Sequence, residues 1–255
     1  MRSASSCDGS APQPDVSEAL PLTGERTAPG IPSENYWFRR HVAAYRFAAR
    51  IVTGTVLDGG SGEGYGSEIL RASARKVVSL DLDAPTLIHA RGRYDSALPV
   101  RADLAELPLA DASVDAIVAL QVIEHLAPAE GFVREARRVL RPGGTLVIST
   151  PNRATFPAGL NPFHVHEYDG PELHELLFGA FSEVRLLGLA HGAPLRWLER
   201  VLGEPIQARL VRTPYPELPH ALRAALRAVT ARGFRLTRRP ERALDLVAVC
   251  RSGKP

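Results

Sequence analysis

Three carboxylates and a run of glycines carry the first chemical signal. Five glycines fall within eight residues, Gly59 to Gly66, in the stretch VLDGGSGEGYGSEIL. Glycine weakens the interior of a strand and of a helix alike, so the cluster marks a tight turn where a ligand meets main chain. Asp58 precedes it at the end of an apolar run, and a helical pattern follows at once. A helix start presents unpaired N–H groups. The spacing excludes two common phosphate binders. In G-x-G-x-x-G the third glycine would fall on Tyr65 or Ser67, depending on the frame, and no lysine follows as G-x-x-x-x-G-K requires. What remains is D-x-G-x-G-x-G, with Gly60, Gly62 and Gly64 behind an acid that would repel a pyrophosphate. That acid suits a ligand carrying an ammonium or sulfonium.

Two further acids extend the pattern. Asp81 ends the second apolar run, where an acid can accept both ribose hydroxyls of an adenosine. Asp103 ends the third, where a carboxylate can take the exocyclic amine of adenine while the Leu104 N–H meets a ring nitrogen. Any one of them could be a solvated strand-end acid; three on successive strand ends beside the glycine turn are harder to dismiss.

Histidines supply the candidate acid–base chemistry. His125 lies in QVIEHL, and His164 and His166 lie in NPFHVHEY, both expected beyond strand ends. A histidine so placed can take the proton of a hydroxyl acceptor. In an extended segment His164 and His166 would share a face and Glu167 would point away, so no metal site is expected. The segment ENYWFRRH offers Tyr36, Trp37 and His41 as a cap over donor or acceptor, through stacking or cation–π contact. The same aromatic face could simply pack on a sheet.

These residues need a scaffold that brings strand ends together. Apolar strand-like runs (TVLDGG, KVVSLDLD, PVRAD, VDAIVALQ, GTLVISTP, SEVRLLGLA, ALDLVAVC) alternate with helical patterns such as PAEGFVREARRVL. Asp169 reads as the N-cap of the helix GPELHELLFGA, and Ser33 as that of the first helix, which Gly54 would end. The alternation predicts an α/β fold: a doubly wound, mostly parallel, seven-stranded sheet covered by helices on both faces. Ligands in such sheets bind beyond the carboxyl ends of the strands. The expected organisation is a disordered tail over 1–30, rich in Ser, Pro, Ala and Gly, and a cap helix over 31–54. A ligand-binding core over 55–192 and a helical insertion or lid over 193–242 come before a final strand over 243–251.

Bulk properties agree with a single catalytic domain. The chain has 255 residues, 45% hydrophobic and 23% charged, and a formal charge of +3. No apolar run approaches the roughly 20 residues of a membrane span. The amino terminus lacks the apolar core of a secretory signal, and the two cysteines, Cys7 and Cys250, have no metal-ligand spacing; a cytoplasmic location is expected. Residues 193–242 hold eleven arginines against four glutamates. Such a run reads either as a solvated helical face or as a surface for an anionic acceptor.

The successive stretches DGGSGEGYG, VVSLDLD, RADLAELPLADASVDAIVALQVIEHL and FVREARRVLRPGGTLVISTPN resemble the motifs of class I S-adenosylmethionine-dependent methyltransferases of the methyltransferase-11 type. The resemblance spans about residues 55–190. It implies S-adenosyl-L-methionine as cofactor, with Asp58 near its amino-acid part, Asp81 and Leu82 at the ribose, Asp103 and Leu104 at adenine, and main chain near Gln121 beside the methionine. Gly59 departs from the family, which usually has an apolar residue there. A narrower resemblance, carried by LPLTGERTAPG, ENYWFRRH, STPNRATF, NPFHVHEY, GLAHG and DLVAV, is to an actinobacterial subgroup associated with methylglucose lipopolysaccharide synthesis. It implies O-methylation of a sugar hydroxyl in polysaccharide biosynthesis.

Other readings keep part of this picture. The acceptor could be a small phenol, quinone-like ring or amine, or the chain could bind the donor without turnover. DNA is disfavoured as a partner because strand four runs into LQVIEHL and not an N-P-P-Y type motif, and RNA stays open through the arginine-rich segment. A nicotinamide dehydrogenase conflicts with the glycine spacing. Apolar residues and Trp197 in 193–242 leave a homodimer contact open.

Overall fold

The computed structural model describes residues 26–94, 98–156 and 161–253. Most of the expected tail, residues 1–25, lies outside the described residues. The order of elements is α1 (Asn35–Ala48), β1 (Gly54–Gly59), α2 (Tyr65–Leu70), β2 (Ala74–Asp81), α3 (Ala84–Arg93), β3 (Leu98–Arg101), β4 (Val114–Leu120), α4 (Ala129–Val139) and β5 (Leu140–Pro151). Then come α5 (Gly170–Phe178), β6 (Glu183–His191), α6 (Ala193–Leu202), α7 (Ile206–Arg212), α8 (His220–Arg227), β7 (Phe234–Thr237) and β8 (Asp245–Arg251).

The sheet runs β3-β2-β1-β4-β5-β8-β6-β7. Strands β1 to β5 pair in parallel, β8 runs antiparallel between β5 and β6, and β7 runs antiparallel at the edge. The strand order reverses between β1 and β4, which opens a crevice at their carboxyl ends. Buried residues form two clusters. One joins α1, α6 and α8 to the sheet through residues such as Tyr36, Leu195 and Leu222. The other joins α4 and α5 through Phe132, Val133, Leu173 and Leu177.

Local signals explain several elements. α4 buries Phe132, Val133, Ala136 and Val139, one apolar stripe at helical spacing. Asp169 caps α5 in a reciprocal box: its carboxylate accepts from the Glu172 N–H at 3.0 Å, and the Glu172 carboxylate accepts from the Asp169 N–H at 3.3 Å.

Three expectations change. The sheet has eight strands, because Phe234–Thr237 pairs with β6 inside the segment read as a helical insertion. It is a four-residue edge strand that buries Phe234 and exposes Arg235, too short and too charged to stand out beside the core strands. The first helix is not capped by Ser33: Glu34 takes the N-cap position with no side-chain cap, and Gly54 opens β1 at φ +77° instead of closing the helix. Residues 26–30 are not tail. Ala28 is buried, and Thr27 Oγ1 lies 3.0 Å from the Tyr65 hydroxyl. Among the described residues no helix is long and apolar enough to cross a membrane.

Candidate active site

The glycine turn is built by approach from two sides. Gly60 and Ser61 donate their N–H groups to the Leu80 carbonyl at 2.8 and 3.0 Å, which folds the turn over the end of β2. Gly60 adopts φ +69°, and a Cβ there would stand 2.5 Å from Val122. Gly64 adopts φ +85°, and its Cβ would meet Ala90 of α3 at 2.7 Å. Both positions therefore need glycine for backbone and for space. Gly66 has an ordinary φ, but a Cβ would come within 2.1 Å of the Tyr45 ring. Its missing side chain lets Tyr45 reach under the turn. Gly59, the departure from the family pattern, faces Leu104: a Cβ would meet that side chain at 2.8 Å.

Asp58 is what Tyr45 reaches. Its carboxylate is fully buried and accepts from the Tyr45 hydroxyl at 3.0 Å and the Ser67 hydroxyl at 2.6 Å. Burial pushes its pKa up to about 6, against the lowering effect of those two bonds. Asp58 does not line the two cavities described below; its carboxylate braces the turn through Tyr45 and Ser67.

On the outer side lies a cavity of about 430 Å³ at the ends of β1, β2 and β4. Of the candidate cofactor residues, Gly60, Gly62, Asp81, Leu82, Asp103, Leu104 and Gln121 line it, and Gly64 does not. Asp81 is oriented by main chain: its two carboxylate oxygens accept from Gly62 N–H at 2.9 Å and Asp83 N–H at 3.0 Å. Each oxygen retains a lone pair for a ligand hydroxyl. Asp103 is held by the Ala105 N–H at 2.8 Å. Gly62, at φ +49°, has nothing within 4 Å of where a Cβ would stand, so the turn leaves its side of the cavity clear. These features fit an adenosyl group. Arg26, which the sequence reading left in the tail, closes one wall through an ion pair with Asp83 at 3.0 Å.

A second cavity, about 470 Å³, adjoins the first and shares Arg26, Gln121 and His125 with it. Trp37, Arg40, His41, Glu124, Phe156, Asn161, Phe163 and His164 line it, together with Leu210 and Val211 of α7. Gln121 sits at the shared wall with φ +57°; its amide donates to the Ser149 hydroxyl at 3.2 Å and to Asp245 at 3.3 Å. Arg40 is buried in a bidentate pair with Asp245. His41 donates to or accepts from the Tyr65 hydroxyl at 3.0 Å, and burial lowers its pKa to about 3, so the ring is neutral throughout the physiological range.

The polar end of this second cavity is a cluster of three residues. His125 Nδ1–H donates to the Phe163 carbonyl at 2.8 Å. His164 Nδ1–H donates to Glu167 Oε1 at 3.1 Å, and the two imidazole centroids are 5.1 Å apart. Burial lowers the His164 pKa, opposed by Glu167. Glu124 is fully buried, and burial raises its carboxyl pKa to about 8, with Thr150 and Arg40 opposing. Its main-chain carbonyl accepts from Val165 and His166 N–H at 2.8 and 3.1 Å, which pins the 161–166 segment over the site.

Several expected residues are elsewhere. His166 points away: its side chain is half exposed, packs on Tyr168 at 4.5 Å and lies 3.6 Å from Glu172. The segment turns at Asn161–His164 instead of running extended, so His164 and His166 do not share a face, and Glu167 meets His164 instead of opposing it. Tyr36 is core. Its hydroxyl is 2.7 Å from His191 Nε2, and His191 Nδ1 is 3.0 Å from Glu199. Glu124 and α7 were missed. The signal for Glu124 was an acid directly behind Ile123 in a buried strand exit.

Comparison with known proteins agrees with this geometry. A family model described as a methyltransferase domain matches residues 57–148. A probable S-adenosylmethionine-dependent methyltransferase of Mycolicibacterium smegmatis is 47% identical over 250 residues, covering 93% of this chain and 97% of the relative. Another of the same description from Mycobacterium tuberculosis is 44% identical over 256 residues, 92% of each chain. Among solved structures, an S-adenosylmethionine-dependent methyltransferase of Thermotoga maritima superposes with a TM-score of 0.58 at 15% identity, covering 86% of this chain and 91% of that one. A geranyl diphosphate methyltransferase in complex with S-adenosylmethionine gives 0.56 at 16% identity, with coverage of 88% and 92%. These two share the fold.

Proposed function

We propose that this chain, which belongs to the family of S-adenosylmethionine-dependent methyltransferases, methylates a hydroxyl group of a sugar in an oligosaccharide or polysaccharide. The observation that carries the reading is the meeting of two cavities at Gln121 and His125, with Glu124 and His164 lining the second and not the first. The first cavity has the adenosine-binding carboxylates. The second has Glu124, His125 and His164 at its polar end.

S-adenosylmethionine supplies a methyl group already activated on sulfur. The chain's own work is to align that methyl with an acceptor oxygen, which orientation alone can favour by roughly 7–11 kcal/mol in good cases. Asp81 and Asp103 hold the adenosine end. Gln121, fixed by Ser149 and Asp245, separates the two cavities. An O–C bond forms, an S–C bond breaks, and the acceptor proton must leave. An alcohol keeps that proton at neutral pH, so the cluster of Glu124, His125 and His164 is where the acceptor is activated, a contribution of about 10²–10⁴-fold for acid–base assistance.

A sugar fits the second cavity in kind. Its ring has a flat C–H face and a rim of hydroxyls. Trp37, Phe156 and Phe163 offer apolar surfaces, while Arg40 and Asn161 offer polar groups between them. The resemblance to the polysaccharide-methylating subgroup supports the same class. The test is transfer of labelled methyl from S-adenosylmethionine to glucose and mannose oligosaccharides, beside a pool of phenols and amines. Label in a sugar ether is expected. Label confined to phenols or amines would discard the sugar and keep the transferase.

A further inference from the structure

One group in the second cavity lacks a partner. The Glu124 carboxyl is fully buried and lines the cavity; Thr150 lies near enough to lower its pKa, but neither oxygen meets hydrogen-bond geometry with a partner among the described residues. An unpaired buried carboxyl is costly, and its presence calls for a ligand. One ligand atom from each of Glu124, His125 and His164 lies within 4.8 Å of the other two.

The two histidines share a second feature. Each has its Nδ1–H committed, His125 to the Phe163 carbonyl and His164 to the Glu167 carboxylate. This fixes both rings, and neither Nε2 has a hydrogen-bond partner among the described residues. A carbonyl or carboxylate behind the imidazole is the usual outer support of a metal-binding histidine.

We infer that Glu124, His125 and His164 form a binding site for a divalent transition-metal ion at the junction of the two cavities. Two imidazoles and one carboxylate suit ions such as Mn²⁺, Fe²⁺, Co²⁺ or Zn²⁺ over Mg²⁺ or Ca²⁺, which prefer all-oxygen sets. Arg40 does not compete for Glu124, because Asp245 holds it. Three protein ligands leave a position for an acceptor oxygen. A hydroxyl held there would lose its proton more readily, which is the chemistry the ion would supply. The role given to the ion rests on the hydroxyl-acceptor reading; the site itself does not.

The direct test is metal binding by tag-free, full-length protein stripped with chelator and titrated with Co²⁺ and Zn²⁺. Visible absorption of Co²⁺ and calorimetry read the result, with no donor or acceptor present. One ion per chain is expected, with affinity at least 10-fold weaker in Glu124→Gln and His164→Ala and unchanged in His166→Ala. Donor affinity checks the fold of each variant, since neither Glu124 nor His164 lines the first cavity. Failure of wild-type protein to bind either ion while it still binds donor overturns the site, as does undiminished binding in both variants. Methyl transfer separates the two readings. Stoichiometric metal with no hydroxyl acceptor methylated sustains the metal site and discards the acceptor. Equal methylation of a hydroxyl by stripped and reloaded protein sustains the acceptor and discards the role given to the ion.

Discussion

The two cavities are built on different principles. The first is made almost wholly from consecutive strand ends and main chain: a glycine turn folded onto Leu80, with Asp81 held by two N–H groups. The second is assembled from α1, the exit of β4, the 161–166 segment and α7, which are far apart in sequence. Backbone fixes the first and side chains fix the second. A shared cofactor can be served by a local backbone pattern, whereas acceptor choice is left to distant side chains that vary without disturbing the sheet.

That contrast can be tested by substitutions on each side. The largest effect is expected from Asp81→Ala, which removes both the ribose acceptor and the anchor of Gly62 and Asp83. Losing bonds to a charged group costs about 3 kcal/mol, so donor affinity should fall about 10²-fold by calorimetry. Turnover at saturating donor should change much less. His164→Ala should do the reverse, lowering kcat about 10²-fold or more while donor Kd stays within about twofold.

A smaller effect falls on the fold. Gly66→Ala puts a methyl into the Tyr45 ring, and a loss of about 1–3 kcal/mol in chemical denaturation is expected. Tyr45→Phe in the same background should not restore it, because the ring carbons clash as well as the hydroxyl.

Asp58 gives a pH-dependent prediction. Its folded pKa is raised, to about 6, above its ordinary value near 4. The folded chain therefore holds this proton more tightly than the unfolded chain does. The contribution to stability is fully present below about pH 4 and is lost as pH rises to about 6, a change of about 3 kcal/mol. Thermal unfolding of donor-free wild-type protein and Asp58→Asn, compared from pH 4 to 7, should show the variant gaining relative stability across that window. The smallest expected effect is that of His166→Ala, which should leave kcat within about threefold, since its ring packs on Tyr168 away from the junction.

Legibility in the sequence follows the same division. The parallel sheet, the glycine turn, Asp81 and Asp103 could be read because local spacing dictates them. Asp58 was read in its place near the end of β1, but its partners Tyr45 and Ser67 were not. Nothing in the sequence shows that Gly66 admits Tyr45 beneath the turn to satisfy it. Tyr36 and Trp37 are neighbours with opposite fates, one locked to His191 in the core and one lining the second cavity. His164 and His166 diverged because the chain turns where alternation assumed an extended strand. Residues 26–30 were masked by a composition that matches the preceding tail, yet Arg26 closes the first cavity through Asp83.

The central claim is that donor binding and acceptor activation reside in separate cavities joined at Gln121 and His125. Side-by-side donor Kd and kcat for Asp81→Ala and His164→Ala test it most directly. The account predicts a double dissociation: Asp81→Ala weakens donor binding with kcat at saturating donor largely kept, and His164→Ala lowers kcat with donor binding kept. Loss of donor affinity in His164→Ala equal to that in Asp81→Ala would contradict the division.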